Sequence, residues 1–305
     1  MRHDDSLVTM PQADPSQEPP TPANAQSPSP RPSFSEPTHI RSDQVTLHLW
    51  GDEDSGQVPD WIYVSSEKIH HLVFGLPPGG AFRHSQSFRT VFAADELLYV
   101  LAGTMALANP ETGEVLLART GEAVFFRRDT WHHAFSFDDE ALRVLEFFAP
   151  PPASGASSAY AKTRDYLERP SYVDDRWLGQ WPQARAERDR EATMRAMRDD
   201  DVLWSLEGRS TLIGTYVSTE HLTAARIVQR PGGSTDVRSH GGDATMHIVR
   251  GTANVLLHDV EGQRWFEVRP GDGFFLPEGT RYELRNVTGS DTEVMFAAAP
   301  SLDPR

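Results

Sequence analysis

The sequence predicts an all-β protein made of two similar units, and two observations lead to this fold class. Short runs rich in Val, Ile, Leu and Phe recur through both halves, separated by Gly, Pro, Asp and Asn, with few helical patterns between them. Short strands without intervening helices are typical of sandwiches and barrels. In addition, residues 121–136 (GEAVFFRRDTWHHAFS) align with residues 271–286 (GDGFFLPEGTRYELRN), which indicates that the chain contains one unit twice.

Composition limits the classes of partner. The 305 residues allow about two domains, and the net charge of −15 argues against nucleic acids and anionic membranes as partners. The absence of cysteine excludes disulfides and thiolate ligands, so histidines and carboxylates must hold any metal. The sequence shows neither an apolar run of membrane-spanning length nor a signal-peptide core. These features predict a soluble, cytoplasmic protein with a small-molecule substrate, and they leave a homo-oligomer open.

The chain divides into four predicted segments. Residues 1–40 are rich in Pro, Ser and Gln and are expected to be disordered, with a Pro-rich docking ligand as the alternative. Residues 41–152 form the predicted N-terminal barrel and residues 202–305 the C-terminal one. Residues 153–201 form a linker, with one charged helix predicted over 182–199 because Pro182 suits a first turn and Glu191 and Arg195 are spaced as a favourable pair.

Alternating apolar patterns place the strands of both barrels. Those of the N-terminal barrel are expected at 45–50, 61–64, 69–74, 97–101, 105–108, 114–117, 123–126, 133–137 and 142–148. Those of the C-terminal barrel are expected at 222–229, 246–249, 253–257, 265–268, 274–276, 282–286 and 293–298. The turn at 109–113 (NPETG) has its counterpart at 258–262 (HDVEG), which supports the duplication.

Two motifs recur in each copy. The downstream motif has the pattern G-x5-P-x-G-x2-H-x3-N, carried in the second copy by Gly271, Pro277, Gly279 and Asn286, with Tyr282 at the histidine position. In the first copy, His132 takes the histidine position and Ser136 the asparagine position. The upstream motif begins at a Pro-Gly-Gly turn, followed in the first copy by His84, Glu96 and Gly103 and in the second by His240, Ala244 and Gly251.

Together these motifs resemble those of the cupin family over residues 60–150 and 210–300, in the two-domain arrangement called a bicupin. The resemblance implies two cupin-like barrels of the jelly-roll, or double-stranded β-helix, type joined by a short helical linker. In that family, metal sites take two His and one Glu from the upstream motif and one His from the downstream motif.

Carried over residue by residue, the resemblance implies metal ligands at His84, Glu96 and His132, while Phe92 occupies the remaining histidine position. Two imidazoles and one carboxylate can bind one face of a divalent ion and leave positions open for substrate or oxygen. A one-residue strand slip would exchange His132 for His133. The structural alternative pairs Glu96 with a nearby arginine and His132 with the backbone.

The second copy lacks this donor set, because its aligned positions hold His240, Ala244 and Tyr282. We expect a structural barrel there, or a metal-free pocket that uses Tyr282, Arg238 and His240.

Aromatic residues are frequent around the first motif, and ligand pockets are largely apolar with a few polar groups. The predicted substrate-binding residues are Tyr99, Trp131 and Phe135, together with Arg89, which could bind a carboxylate through two hydrogen bonds.

These features favour a metal-dependent cupin enzyme that acts on a small organic substrate, with an Fe(II)-type (di)oxygenase as the leading expectation and the acid–base residues unassigned. The cofactor is expected to be a divalent metal ion, Fe(II) first, with Mn(II), Ni(II) and Zn(II) as alternatives. A fold does not by itself choose a reaction. Two other classes therefore stay open: a non-catalytic small-molecule-binding cupin, and a metal-free isomerase or epimerase.

Overall fold

The computed structural model of the chain describes residues 29–150, 161–300 and 302, and these residues are mostly in β-strands. The strands up to the central connection are β1 (Thr38–Ile40), β2 (Thr46–Trp50), β3 (Val58–Ser65), β4 (His70–Leu76), β5 (Ala81–Phe82), β6 (Thr90–Phe92), β7 (Asp95–Ala102), β8 (Thr104–Asn109), β9 (Glu114–Arg119), β10 (Ala123–Phe126), β11 (His133–Ser136) and β12 (Leu142–Ala149).

The central connection contributes β13 (Ala161–Thr163), helix α1 (Arg185–Glu191) and β14 (Met194–Met197). The later strands are β15 (Leu203–Glu207), β16 (Thr211–Ser218), β17 (Thr223–Gln229), β18 (Asp243–Arg250), β19 (Ala253–Leu257), β20 (Trp265–Val268), β21 (Gly273–Leu276), β22 (Tyr282–Arg285) and β23 (Thr292–Ala299). Within the described residues, no helix is long and apolar enough to cross a membrane.

We call the earlier set of sheets the first β-unit. It contains a seven-stranded sheet in the order β14-β10-β7-β12-β4-β3-β2 and a four-stranded sheet in the order β5-β11-β8-β9. A core of buried side chains from both sheets, among them Leu98, Leu107, Val124 and Ala134, lies between them. Strands β13 and β6 form a separate two-stranded pair.

The second β-unit repeats this arrangement. Its seven-stranded sheet has the order β1-β21-β18-β23-β17-β16-β15, and its three-stranded sheet has the order β20-β19-β22. Its core again combines side chains from both sheets, such as Met246, Val255, Phe274 and Leu284.

Each β-unit takes one edge strand from a part of the chain outside it. Strand β1, near the start of the described chain, pairs antiparallel with β21 of the second β-unit. Strand β14, in the central connection, pairs antiparallel with β10 of the first β-unit. The prediction of disorder over residues 1–40 is therefore wrong for the end of that segment, because β1 hydrogen-bonds into a sheet and Ile40 is buried. Residues 1–28 lie outside the described residues.

The predicted helix over residues 182–199 is also too long. The α-helix covers only Arg185–Glu191, and Met194–Met197 forms β14, with Met194 buried in the core of the first β-unit. A helix of seven residues is marginal without packing, whereas the edge of a sheet offers backbone partners at once.

The two β-units share a third core in which side chains from both pack together. Alternation along β7 separates the faces of the strand: Leu97 and Tyr99 join this shared core, while Leu98 and Val100 point into the first β-unit. Polar contacts also link the units. Asp95 accepts a hydrogen bond from Thr219, and Asp243 forms an ion pair with Lys68.

Candidate functional site

The interior of the first β-unit contains a pair of carboxyl groups. Glu96 lies on β7 and Glu146 on the neighbouring strand β12, and each is in phase with core residues of its own strand, Leu98 and Val144. Glu96 is only 2% exposed, and its Oε2 has no hydrogen-bond partner among the described residues. The two carboxyl groups are close enough to interact electrostatically.

Burial sets the electrostatics of this carboxyl pair. Burial, followed by the neighbouring Glu146, raises the pKa of Glu96 well above its ordinary value. Burial also raises the pKa of Glu146, to about 7. A third carboxyl, that of Asp60 on β3, is partly buried, and this desolvation together with the nearby Glu146 raises its pKa. Separating these groups from water is costly unless a proton or a cation compensates their charge.

Sequence reasoning found Glu96 from its motif but missed Glu146 and Asp60. Glu146 stands in the apolar strand LRVLEFFA, two residues after Val144 and therefore on the same face. A single acidic residue on the buried face of a strand was the signal that could have identified it.

His132 borders the same interior. Its ring packs against Phe126, at 4.7 Å between ring centroids, and against Phe82 at 5.5 Å. Phe126 is the cross-strand partner of Glu96 on β10. Burial lowers the pKa of His132 to about 4, so its imidazole is neutral at pH 7 and can act as a metal ligand.

His133, the alternative ligand, has both ring nitrogens occupied. Its Nε2 accepts a hydrogen bond from the backbone N–H of His84 at 3.1 Å. Its Nδ1 therefore carries the proton and donates to the hydroxyl of Tyr172, also at 3.1 Å. This arrangement fixes the tautomer of His133 and leaves no nitrogen for a metal.

His84 lies at a surface cleft of about 490 Å³, which we call the His84 cleft. It is lined by Asp54, Arg83, His84, Ser85, Gln86, Trp131, His133, Tyr166, Leu167 and Pro170. The His84 ring meets the edge of Trp131, at 3.9 Å between centroids, and lies 6.4 Å from the ring of His132.

The predicted ligand set is thus only partly assembled. Within the part of the chain that the structure describes, no three His, Asp or Glu side chains are grouped to hold a metal ion. Phe92, at the remaining histidine position, stacks on Phe148 at 5.3 Å, beside Glu96 in the β7–β12 register. The fit to a metal rests on the Glu96–Glu146 pair, whose buried, unpartnered oxygen is the kind of donor that divalent ions bind.

The four predicted substrate-binding residues lie in different places. Trp131 lines the His84 cleft. The ring of Phe135 packs edge-to-face against the ring of Tyr172, with 5.4 Å between the two centroids. The backbone carbonyl of Arg89 accepts a hydrogen bond from the N–H of Arg164, but its side chain is not among the cleft-lining groups. Tyr99 lies in the shared core between the β-units, where its hydroxyl donates to Glu293 at 3.0 Å.

The matching position in the second β-unit is closed by hydrogen bonds. Tyr282 is 1% exposed and donates its hydroxyl proton to Nε2 of His240 at 2.8 Å. Nδ1 of His240 donates to the carbonyl of Leu302, also at 2.8 Å. Both nitrogens of His240 are used, and Ala244 stands where the first β-unit has Glu96.

No family model matches the chain, and no curated protein matches it in sequence. Solved structures do match. A Pseudomonas aeruginosa protein described as glyoxylate induced has 12% identity and a TM-score of 0.61, with 89% of this chain and 91% of that chain covered. Oxalate decarboxylase of Lactobacillus farciminis has 14% identity and a TM-score of 0.55, with 90% and 88% covered.

Salicylate 1,2-dioxygenase of Pseudaminobacter salicylatoxidans has 11% identity and a TM-score of 0.55, with 76% of this chain and 71% of that chain covered. These neighbours are cupin-family proteins, so the chain has a cupin-type β fold, as the motifs predicted. At such identities the likeness concerns the fold and carries no activity with it.

Proposed function

We propose that the chain is a bicupin, a protein of two cupin barrels, and a metal-dependent enzyme that acts on a small organic substrate in its first β-unit. The observation that carries this proposal is the pairing of buried Glu96 with partly buried Glu146, in which one Glu96 oxygen has no hydrogen-bond partner among the described residues. A β-barrel core gains nothing from two adjacent carboxyl groups, because each must give up its hydration. Such a pair is retained at a functional site far more readily than in a structural core.

The residues of the first β-unit have separable roles in this proposal. Glu96 and Glu146 would hold the ion through carboxylate oxygens, and the neutral imidazole of His132 borders them. A divalent ion would supply Lewis acidity and a template for substrate. Hard oxygen donors with one imidazole suit Fe(II) and Mn(II), so an Fe(II)-type (di)oxygenase remains the finer proposal. Bacillus subtilis oxalate decarboxylase, a structural neighbour, has Mn(II) centres.

The surrounding side chains control access. Phe82, Phe92 and Phe126 surround the carboxyl pair and His132 with apolar surface. His84 and Trp131 lie between this interior and the His84 cleft. Water exclusion by such a shell strengthens every interaction with a charged group inside.

A metal-free acid–base enzyme, such as an isomerase or epimerase, is the second candidate. One observation favours it: two neighbouring carboxyl groups, with the pKa of Glu146 raised to about 7, can share one proton and exchange it with a substrate near neutral pH. In that case the shared proton, and not a cation, compensates the buried charge.

Elemental analysis of the purified protein, followed by Mn(II) and Fe(II) titration under anaerobic conditions, separates the two candidates. The metal enzyme is expected to bind about one ion per chain, and His132→Ala should weaken this binding. The matched control is His48→Ala, because His48 lies on the edge strand β2, away from the carboxyl pair. If wild type neither contains nor binds a divalent ion, the metal proposal fails and the acid–base candidate is favoured.

A further inference from the structure

The His84 cleft combines a cation, a free hydroxyl proton and flat aromatic walls outside the carboxyl pair. Arg83 lines the cleft and is exposed to solvent. No carboxylate of the described chain forms an ion pair with it, which is notable in a protein with a net charge of −15. The guanidinium lies close enough to the hydroxyl of Tyr172 to interact with it electrostatically.

Tyr172 is set up to donate a hydrogen bond outward. Its oxygen accepts a hydrogen bond from Nδ1–H of His133. Because the oxygen is the acceptor in this hydrogen bond, the hydroxyl proton of Tyr172 is left to donate to another group. Tyr172 is 37% exposed, so that group can come from solvent.

The outer wall of the cleft comes from the segment that joins the two β-units. Tyr166, Leu167 and Pro170 of this segment line the cleft. Arg164 anchors the segment: its Nη2 bonds to Glu111 at 2.6 Å, and its guanidinium lies 5.4 Å from the ring centroid of Trp131. The partly exposed Tyr166 thus provides aromatic surface on the connecting side of the cavity, and Trp131, which is 2% exposed, lies beneath its barrel side.

We infer that the His84 cleft binds a small, flat carboxylic acid, such as an aromatic acid, whose carboxylate lies between Arg83 and the hydroxyl of Tyr172. Two charge-assisted donors suit the two oxygens of a carboxylate, and the partly exposed ring of Tyr166 suits a flat apolar body. Asp54 also lines the cleft and would repel the acid group, which orients it towards Arg83. As a substrate site this inference rests on the proposed function, because it names the substrate class of the same β-unit.

The test uses benzoate as the probe and neutral benzamide as its isosteric control, with binding to the metal-stripped full chain measured by calorimetry. Wild type should bind benzoate saturably and benzamide about tenfold or more weakly. Arg83→Gln should weaken benzoate binding about tenfold and leave benzamide binding unchanged, and Tyr172→Phe should weaken benzoate binding by a smaller factor. Arg119→Gln removes the same charge from an exposed residue outside the cleft and should bind benzoate as wild type does.

Three results would overturn the inference: no benzoate binding by wild type at millimolar concentration, equal binding of benzoate and benzamide, or unchanged benzoate binding by Arg83→Gln. Stripping the metal keeps this test independent of the proposed metal site. Arg83-dependent benzoate binding in a protein that takes up no divalent ion would reject the metal enzyme while supporting the cleft. Metal uptake without benzoate binding would reject the cleft as a carboxylate site while supporting the metal enzyme.

Discussion

Glu96→Gln is the substitution that most directly examines the first β-unit. It keeps the shape of the side chain and removes its titratable group, so the Glu96–Glu146 pair becomes an amide and a single carboxyl. In the metal-free protein at neutral pH, we expect the variant to be more stable than wild type. In the presence of Mn(II) or Fe(II), we expect wild type to gain stability and the variant to gain much less.

The size of the effect follows from the raised pKa values. Glu146 has an ordinary pKa of 4.5 and a folded-state pKa of about 7, a difference of about 2.5 pH units, and each unit is worth about 1.36 kcal/mol. A carboxyl whose pKa is raised by folding stabilises the native state fully only below its unfolded pKa, and this stability is lost as pH rises to the folded pKa. Glu146 therefore costs on the order of 3 kcal/mol between pH 4.5 and 7. The pKa of Glu96 is also raised, so wild type has two such carboxyl groups and Glu96→Gln has one, and the variant should lose less stability over this range.

The assay is urea or thermal unfolding of chelator-treated protein from pH 5 to 8, analysed as the difference between the two proteins so that other titrating groups cancel. Each 1 kcal/mol of difference at pH 7 corresponds to roughly 2–4 °C in melting temperature. Glu140→Gln, an exposed glutamate of the same β-unit, is the matched control and should follow wild type throughout. A variant that is less stable than wild type at pH 7 would refute the uncompensated-charge reasoning. Equal stabilisation of wild type and variant by metal would remove Glu96 from the ligand set.

Three further predictions concern other parts of the chain. Deleting residues 1–40 should lower stability by about 3 kcal/mol or more relative to deleting 1–28, because only the longer deletion removes the buried strand β1; equal melting temperatures would contradict this. Tyr282→Phe should cost about 1–3 kcal/mol and leave metal content unchanged, as measured by unfolding and elemental analysis; loss of metal would move the site to the second β-unit. Burial lowers the pKa of His247 to about 4, so its contribution to stability is complete above its ordinary pKa of 6.5 and is lost as pH falls towards 4. His247→Gln should therefore make the free energy of unfolding fall less steeply as pH decreases from 6.5 to 4. An unchanged slope would contradict this role of His247.

Strand positions could be predicted wherever alternation was local. The strands at 123–126, 253–257 and 265–268 were placed to the residue, since their side chains alternate between a core and another surface. Strands β1 and β14 were missed because they are short and their partners lie far away in the chain, so their stability is not encoded in a local pattern. Strand β16 was also missed, although Tyr216 and Val217 within it are buried.

The candidate site was predictable only in part, for a similar reason. The motif located Glu96 and His132, but the carboxyl pair depends on the register between β7 and β12, which no local pattern records. The alternation of side chains along a strand already argued against Tyr99 as a residue of the same pocket. Tyr99 lies three residues after Glu96 on β7, so its side chain points to the opposite face. The Arg83–Tyr172 contact joins residues 89 positions apart and is a product of the tertiary fold alone.

The duplication itself provides the strongest argument that the carboxyl pair is functional. Both β-units build a core between two sheets, and at the matching upstream position one has Glu96 and the other Ala244. The second β-unit closes its interior with the Tyr282–His240 hydrogen bond and needs no buried charge there to fold. The same architecture is therefore stable without the acid, and the raised pKa values show that the acid is a cost to the first β-unit. A feature that folding does not require, and that burial opposes, is best explained by what the first β-unit binds.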